Sequence, residues 1–111
     1  MEVIRTKVGL SRGKARIWLE GNKLQRECFG AGVKYDVTAS DNSMVLMLNV
    51  DGKYMVSKRT RNERITPIVD LTGKVASDNF KVGTLLNAVI ENGKITITVR
   101  HSTELKEGEE L

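Results

Sequence analysis

Lysine and arginine fill four of the seven positions in KRTRNER, where Lys58, Arg59, Arg61 and Arg64 fall within one short stretch. A guanidinium presents a planar fork of N–H donors that matches phosphate or a guanine edge two bonds at a time, whereas an ammonium acts as a point charge. Three arginines and a lysine so close together therefore suit binding to a polyanion, with phosphates neutralised at the expense of bound counterions. A second basic segment lies near the start of the chain, with Arg5, Lys7, Arg12, Lys14 and Arg16. A hairpin loop of solvated charges would look the same in sequence, and that is the competing explanation for both segments.

Groups suited to catalysis are sparse. His101 is the only histidine and Cys28 the only cysteine, so neither a two-histidine metal site nor an internal disulfide can form within one chain. No phosphate-cradling glycine loop precedes a helix, and GKARIWLEG has glycine spacing without a helix to cap. Metal-independent RNA cleavage would need a proton-transfer pair, such as His101 or Arg61 with Asp70 or Glu63, and the spacing of these residues does not single them out. No catalytic residue, cofactor or metal ligand is assigned.

The chain has 111 residues, 40% apolar and 29% charged, with a formal charge of +4. That size fits one modest core. Glu104, Glu107, Glu109 and Glu110 crowd the last eight residues. Without residues 102–111, 17 basic residues face 10 acidic ones, a formal charge of +7, so a basic body carries an acidic tail, 104–111, expected to be disordered. There is no apolar run of membrane-spanning length and no secretory leader pattern, so a cytoplasmic protein is expected, nucleoid-associated if it binds DNA.

The basic segments must be held by the elements around them, and the chain describes those elements twice. Offset by 51 positions, Phe29 meets Phe80 and Gly32 meets Gly83, preserving an F-x-x-G signature. Tyr35, Val37 and Ala39 then meet Leu86, Ala88 and Ile90, and Met44, Leu46 and Leu48 meet Ile95, Ile97 and Val99. Upstream, Ile17 meets Ile68 and Lys7 meets Lys58 without a gap. Asp41-Asn42 and Asn92-Gly93 supply turn residues that tolerate positive φ. Lys34–Ser40 and Met44–Val50 alternate polar and apolar residues as a half-buried hairpin does. Thr84–Glu91 also has helical spacing, but its counterpart KYDVTAS is rich in strand formers and decides for strand.

Short helices are expected over residues 22–28 and 74–79. Further strands are expected over residues 3–8, 14–19, 54–58 and 65–71, with Pro67 marking an edge or a strand start. Val50-Asp51-Gly52-Lys53 reads as a two-residue hairpin turn joining the halves. Phe29 and Phe80 read as core plugs, Cys28 as half-buried packing, Tyr35 as core. Of Ile17 and Trp18 one must face outward, and an outward Trp18 would offer a binding platform. The expected architecture is mainly β with short helices: one domain over residues 1–103, built from two ββαββ repeats of about 50 residues, 2–51 and 53–102, closing on a shared core.

These residues carry a family resemblance. YMVSKRTRNERITPIVDLTGKVASDNFKVGTLLNAVIENGKITI, Tyr54 to Ile97, resembles SymE-like proteins of the AbrB, SpoVT and MazE swapped-hairpin superfamily. The match lies in the order of a basic strand and loop, IVDLTGKV, a short helix, F-x-x-G, a strand, a turn and a closing strand. Val3 to Leu48 is similar but looser. The resemblance implies a swapped-hairpin barrel, usually made by two chains, that binds DNA in transcription regulators and antitoxins; SymE-like proteins are also described as RNA-cleaving or nucleoid-binding toxins. Two units in one chain depart from that pattern, and imply either a monomeric pseudo-dimer or a homodimer.

The expected function is nucleic-acid binding, DNA before RNA on the strength of the resemblance, through Arg12, Lys14, Arg16, Lys58, Arg59, Arg61 and Arg64, with no membrane and no cofactor involved. Two alternatives stand beside it: an RNA-cleaving toxin, and a phage or mobile-element protein that binds a host protein, for which MVLML would place Met44 and Met47 on opposite faces.

Overall fold

A computed structural model describes residues 1–100; His101 and the acidic tail lie outside the described residues. The fold is mainly β, with two antiparallel sheets and two short helices. In chain order the elements are β1 (Glu2–Lys7), β2 (Gly9–Ser11), β3 (Lys14–Glu20), α1 (Asn22–Arg26), β4 (Lys34–Ser40), β5 (Ser43–Leu48), β6 (Tyr54–Met55), β7 (Ser57–Arg61), β8 (Arg64–Thr72), α2 (Lys74–Ser77), β9 (Leu85–Glu91) and β10 (Lys94–Val99). One sheet has the order β1-β9-β10-β5-β4-β6 and the other β2-β3-β8-β7. Both are open, so neither sheet closes on itself as a barrel.

Period-2 patterning sets which faces meet. Ile17, Leu19, Val69 and Leu71 on the four-stranded sheet, and Tyr35, Met44, Leu46, Leu86, Ala88, Ile90, Ile95 and Ile97 on the six-stranded one, are buried in one apolar cluster. Each large side chain there removes enough apolar surface from water to contribute about 1.5–3 kcal/mol before entropy is counted. Phe29 and Phe80, each just after a helix, are buried in the same cluster as the sequence suggests. Gly32 (φ 90°) and Gly83 (φ 93°) follow them, in a conformation only glycine adopts without strain, and turn the chain into β4 and β9. The β9 segment is strand, as its counterpart indicated, and pairs with β10 from Leu86 to Glu91.

Several local expectations are corrected. The Val50–Lys53 connection is not a hairpin turn, because β5 and β6 do not pair; the chain crosses over and β6 joins the far side of β4. Asp36 on β4 holds that crossover: its carboxylate accepts the Lys53 backbone N–H at 3.0 Å and the Asn49 side-chain amide at 2.6 Å. These bonds keep the Asp36 carboxyl below its ordinary range, the Lys53 contact contributing most.

The expected strand over residues 54–58 is split between the two sheets at buried Val56, and the short β2 was not anticipated. Pro67 is not at a strand start but fourth in the nine-residue β8; that strand is interior, yet its pairing with β3 begins only at Ile68, so Pro67 lies on a locally open edge. It fits because its nitrogen faces past the end of β3. The Gly21 N–H donates to the Pro67 carbonyl, while the Gly21 carbonyl already accepts from Leu24 as α1 begins. Cys28 is exposed rather than half-buried, at positive φ, with its Sγ 3.2 Å from Asn92 Oδ1.

The gapless 51-residue offset also breaks down upstream of β3. Val8 N–H donates to Thr84 O and Gly83 N–H to Val8 O; the matching bonds run from Val56 to Val33 and from Gly32 to Val56. Val56 thus stands where Val8 stands, an offset of 48, and Lys7 corresponds to Met55 rather than to Lys58. The extra three residues lengthen the β7–β8 hairpin relative to β2–β3. No helix among the described residues is long and apolar enough to cross a membrane.

Candidate nucleic-acid interface

The seven cations singled out in the sequence all lie on the four-stranded sheet or its turns, but not on one face. Paired residues share a face, and the pairs Ile17–Leu71 and Leu19–Val69 point into the core. Counting outward from them along the registers, Lys14 and Arg16 on β3, Arg64 on β8, and Arg59 and Arg61 on β7 point away from the core. Arg12 sits in the β2–β3 turn at φ 52°. Lys58 pairs with Pro67 and occupies the opposite side from Arg59 and Arg61. Arg5 and Lys7 are on the other sheet, at the alternate positions of β1 from core-facing Thr6 and Ile4, whose partners Leu86 and Ala88 are buried.

The two hairpin turns do not sit side by side. Because β3 and β8 are antiparallel, the β2–β3 turn (Arg12-Gly13) and the β7–β8 turn (Asn62-Glu63) point toward opposite ends of the sheet. Lys14 and Arg64 are ten residues apart in the β3–β8 register, or about 33 Å at ~3.3 Å per residue.

Between these ends the outward face is partly self-neutralised. Arg16 pairs with Asp70, its Nε 3.3 Å from Oδ1, and its guanidinium lies 3.9 Å from the centroid of the Trp18 ring. Arg59 Nη1 is 3.1 Å from Glu20 Oε2, and Glu20 Oε1 accepts the Trp18 indole N–H at 2.8 Å. Trp18, not Ile17, is therefore the outward residue of the pair, half-buried under Arg16 and tied to Glu20.

Next to these pairs, Glu20, Arg59, Arg61, Asn62, Arg64 and Thr66 line a concavity of about 530 Å³. Three guanidinium groups and one carboxylate give it a net positive lining. Sequence reasoning missed Glu20 and the partner role of Asp70. Both act across strands through residues 39 and 54 positions away, and only the β3–β8–β7 register brings them together.

Among the described residues the acid–base candidates are not assembled into a proton-transfer pair. Asp70 is engaged by Arg16 and by the Thr72 hydroxyl, and Glu63 occupies the β7–β8 turn at φ 65°. His101 lies outside the described residues. Among the described residues no group of three or more His, Cys, Asp and Glu side chains is placed to hold a metal ion. No protein-family model, curated protein or solved structure matches the chain.

Proposed function

We propose that the chain binds nucleic acid through the outward face of the four-stranded sheet, with Lys14, Arg16, Arg59, Arg61 and Arg64 facing the phosphates and Arg12 reaching them from its turn. The observation that carries this reading is the placement of five of the seven cations on that one face, with a further one at its edge. Lys58, on the opposite side, is left out.

Duplex DNA is the preferred form. The ~33 Å between Lys14 and Arg64 is close to the ~34–36 Å of one turn of B-form duplex, so the two ends can meet one side of it at equivalent places. The resemblance of Tyr54–Ile97 to the swapped-hairpin superfamily points the same way.

We read the chain as two swapped-hairpin-type units fused into one domain, 1–103, in a barrel-like arrangement about one core. Two pairings support this: β3 pairs antiparallel with β8 and β5 with β10, each strand with its own counterpart 51 residues away, as a pseudo-two-fold relation between the units requires. A monomeric pseudo-dimer is the simplest assembly, and a homodimer the alternative. Light-scattering mass with and without a short duplex separates the two.

A mobility-shift titration tests the function. Binding to duplex DNA should weaken steeply with salt, since each phosphate neutralised adds about 0.9 to the slope of log K against log salt. Salt-independent binding, or none at low salt, refutes the reading. The RNA-cleaving and protein-partner alternatives have no residue arrangement in their favour; intact labelled RNA at high protein concentration, and no captured partner that survives nuclease treatment, are the expected outcomes.

A further inference from the structure

We infer that Arg59, Arg61 and Arg64 form a phosphate-binding cradle occupied in the free protein by the Glu20 carboxylate, and that an incoming phosphate binds by displacing Glu20 from Arg59. The inference rests on the nucleic-acid reading for the identity of its ligand, but not for the existence of the site.

The cradle is more than an edge strand guarded by charge. Charge on an edge strand already discourages pairing with another chain, and β7 is such a strand, SKRTR, exposed throughout. Edge guarding does not require Arg64, on the neighbouring strand, to converge with Arg59 and Arg61 on one concavity, nor an acidic residue from a third strand to enter it. Glu20 does enter it, from the end of β3, and reaches Arg59 at 3.1 Å. Carboxylate and phosphate oxygens are alternative partners for the same guanidinium fork, so Glu20 takes the place that a ligand oxygen would take. Among the described residues Arg61 and Arg64 have no acidic partner within salt-bridge distance. The lining therefore holds three guanidinium groups against one carboxylate, with Asn62 and Thr66 as further polar groups.

The other hairpin has no such site. Its strand β2 offers Gly9 and Ser11 at the outward positions, and Arg16 beside it is committed to Asp70 and Trp18. The two ends of the face are thus unequal: the β7–β8 end clamps a phosphate, and the β2–β3 end adds charge through Arg12 and Lys14.

Trp18, the only tryptophan, donates its indole N–H to the carboxylate that must move, so its fluorescence reports the displacement. The experiment titrates wild-type protein with inorganic pyrophosphate at constant ionic strength, followed by Trp18 emission. In parallel, anisotropy measures the binding of a labelled 16-bp duplex to wild type, Glu20→Gln, Arg59→Gln, the combined variant, and Arg61→Gln/Arg64→Gln. Gln at position 20 keeps an oxygen for the Trp18 indole while removing the competing charge.

The expected results are a saturable Trp18 response to pyrophosphate that Arg61→Gln/Arg64→Gln abolishes, and a gain in duplex affinity for Glu20→Gln of about two- to five-fold, the range of an exposed ion pair. That gain should vanish when Arg59 is already Gln. A pyrophosphate response without duplex binding overturns the nucleic-acid reading and leaves the cradle standing. Duplex binding with no pyrophosphate response, or a Glu20→Gln gain undiminished by Arg59→Gln, overturns the cradle and leaves the nucleic-acid reading. Silence toward both ligands overturns both.

Discussion

Replacing Gly52 by alanine should destabilise the fold although the residue lies in a surface connection. A Cβ built there would come within 2.6 Å of the Tyr35 carbonyl carbon and oxygen and 2.7 Å of its nitrogen. Those are backbone atoms of a paired strand, so relief must come from the Asn49–Lys53 crossover, which would have to retreat by about 1 Å to reach ordinary carbon contact distance. Retreat strains the Gly52 N–H bond to Asn49 O at 2.8 Å and the Lys53 N–H bond to Asp36 at 3.0 Å. Forced overpacking of this kind costs about 1–3 kcal/mol, and the reduced freedom of the unfolded chain returns about 0.4–1 kcal/mol. A net loss of about 1–2 kcal/mol lowers Tm by roughly 5–15 °C for a domain of this size. Differential scanning calorimetry reads it, with Gly9→Ala as the control: no atom lies within 4 Å of a Cβ at Gly9, so its Tm should stay within about 2 °C of wild type. If Gly52→Ala melts with the wild type, the crossover does not rest on β4 as described.

Three further outcomes are expected. Phe29→Ala, which empties a fully buried site beside Tyr35 at a ring-centroid distance of 6.1 Å, should cost about 3–5 kcal/mol in urea unfolding. Stability should fall on acidification: Asp36 is held below its ordinary value of 3.8 chiefly by the Lys53 N–H, and Glu27 below 4.5 chiefly by the Asn92 N–H. A depressed folded-state pKa stabilises fully above the unfolded value and is lost as pH drops through the folded one, so Tm should decline below about pH 4.5, and Asp36→Asn with Glu27→Gln should flatten that decline. Lys58→Gln should leave the salt dependence of duplex binding nearly unchanged, while Arg61→Gln/Arg64→Gln should lower its slope by about 2.

The strands of the β4–β5 and β9–β10 hairpins were legible because alternation and turn residues agree there: Asp41-Asn42 and Asn92-Gly93 sit at the turns, and all four strands follow the apolar pattern closely. Burial of Phe29, Phe80 and Tyr35 was legible for the same reason. The crossover at Gly52 was not, since Asp-Gly after an apolar strand suits a tight hairpin equally well, and what overrides it is a tertiary bond from Asp36. Face assignment in KRTRNER depends on where the turn falls: with Asn62-Glu63 as the turn, Lys58 parts company with Arg59 and Arg61, and a shift of one residue would reverse every side chain. Glu20 carries no local sign of its contact with Arg59, which arises only when β8 inserts between β3 and β7.

The most direct test of the interface is a two-dimensional NMR titration of labelled protein with a 16-bp duplex at low salt. The amides of Lys14, Arg16, Arg59, Arg61 and Arg64 should shift or broaden together, while those of Arg5 and Lys7, on the other sheet, stay in place. Perturbation centred on Arg5 and Lys7, or an unchanged spectrum at saturating duplex, contradicts the proposed interface.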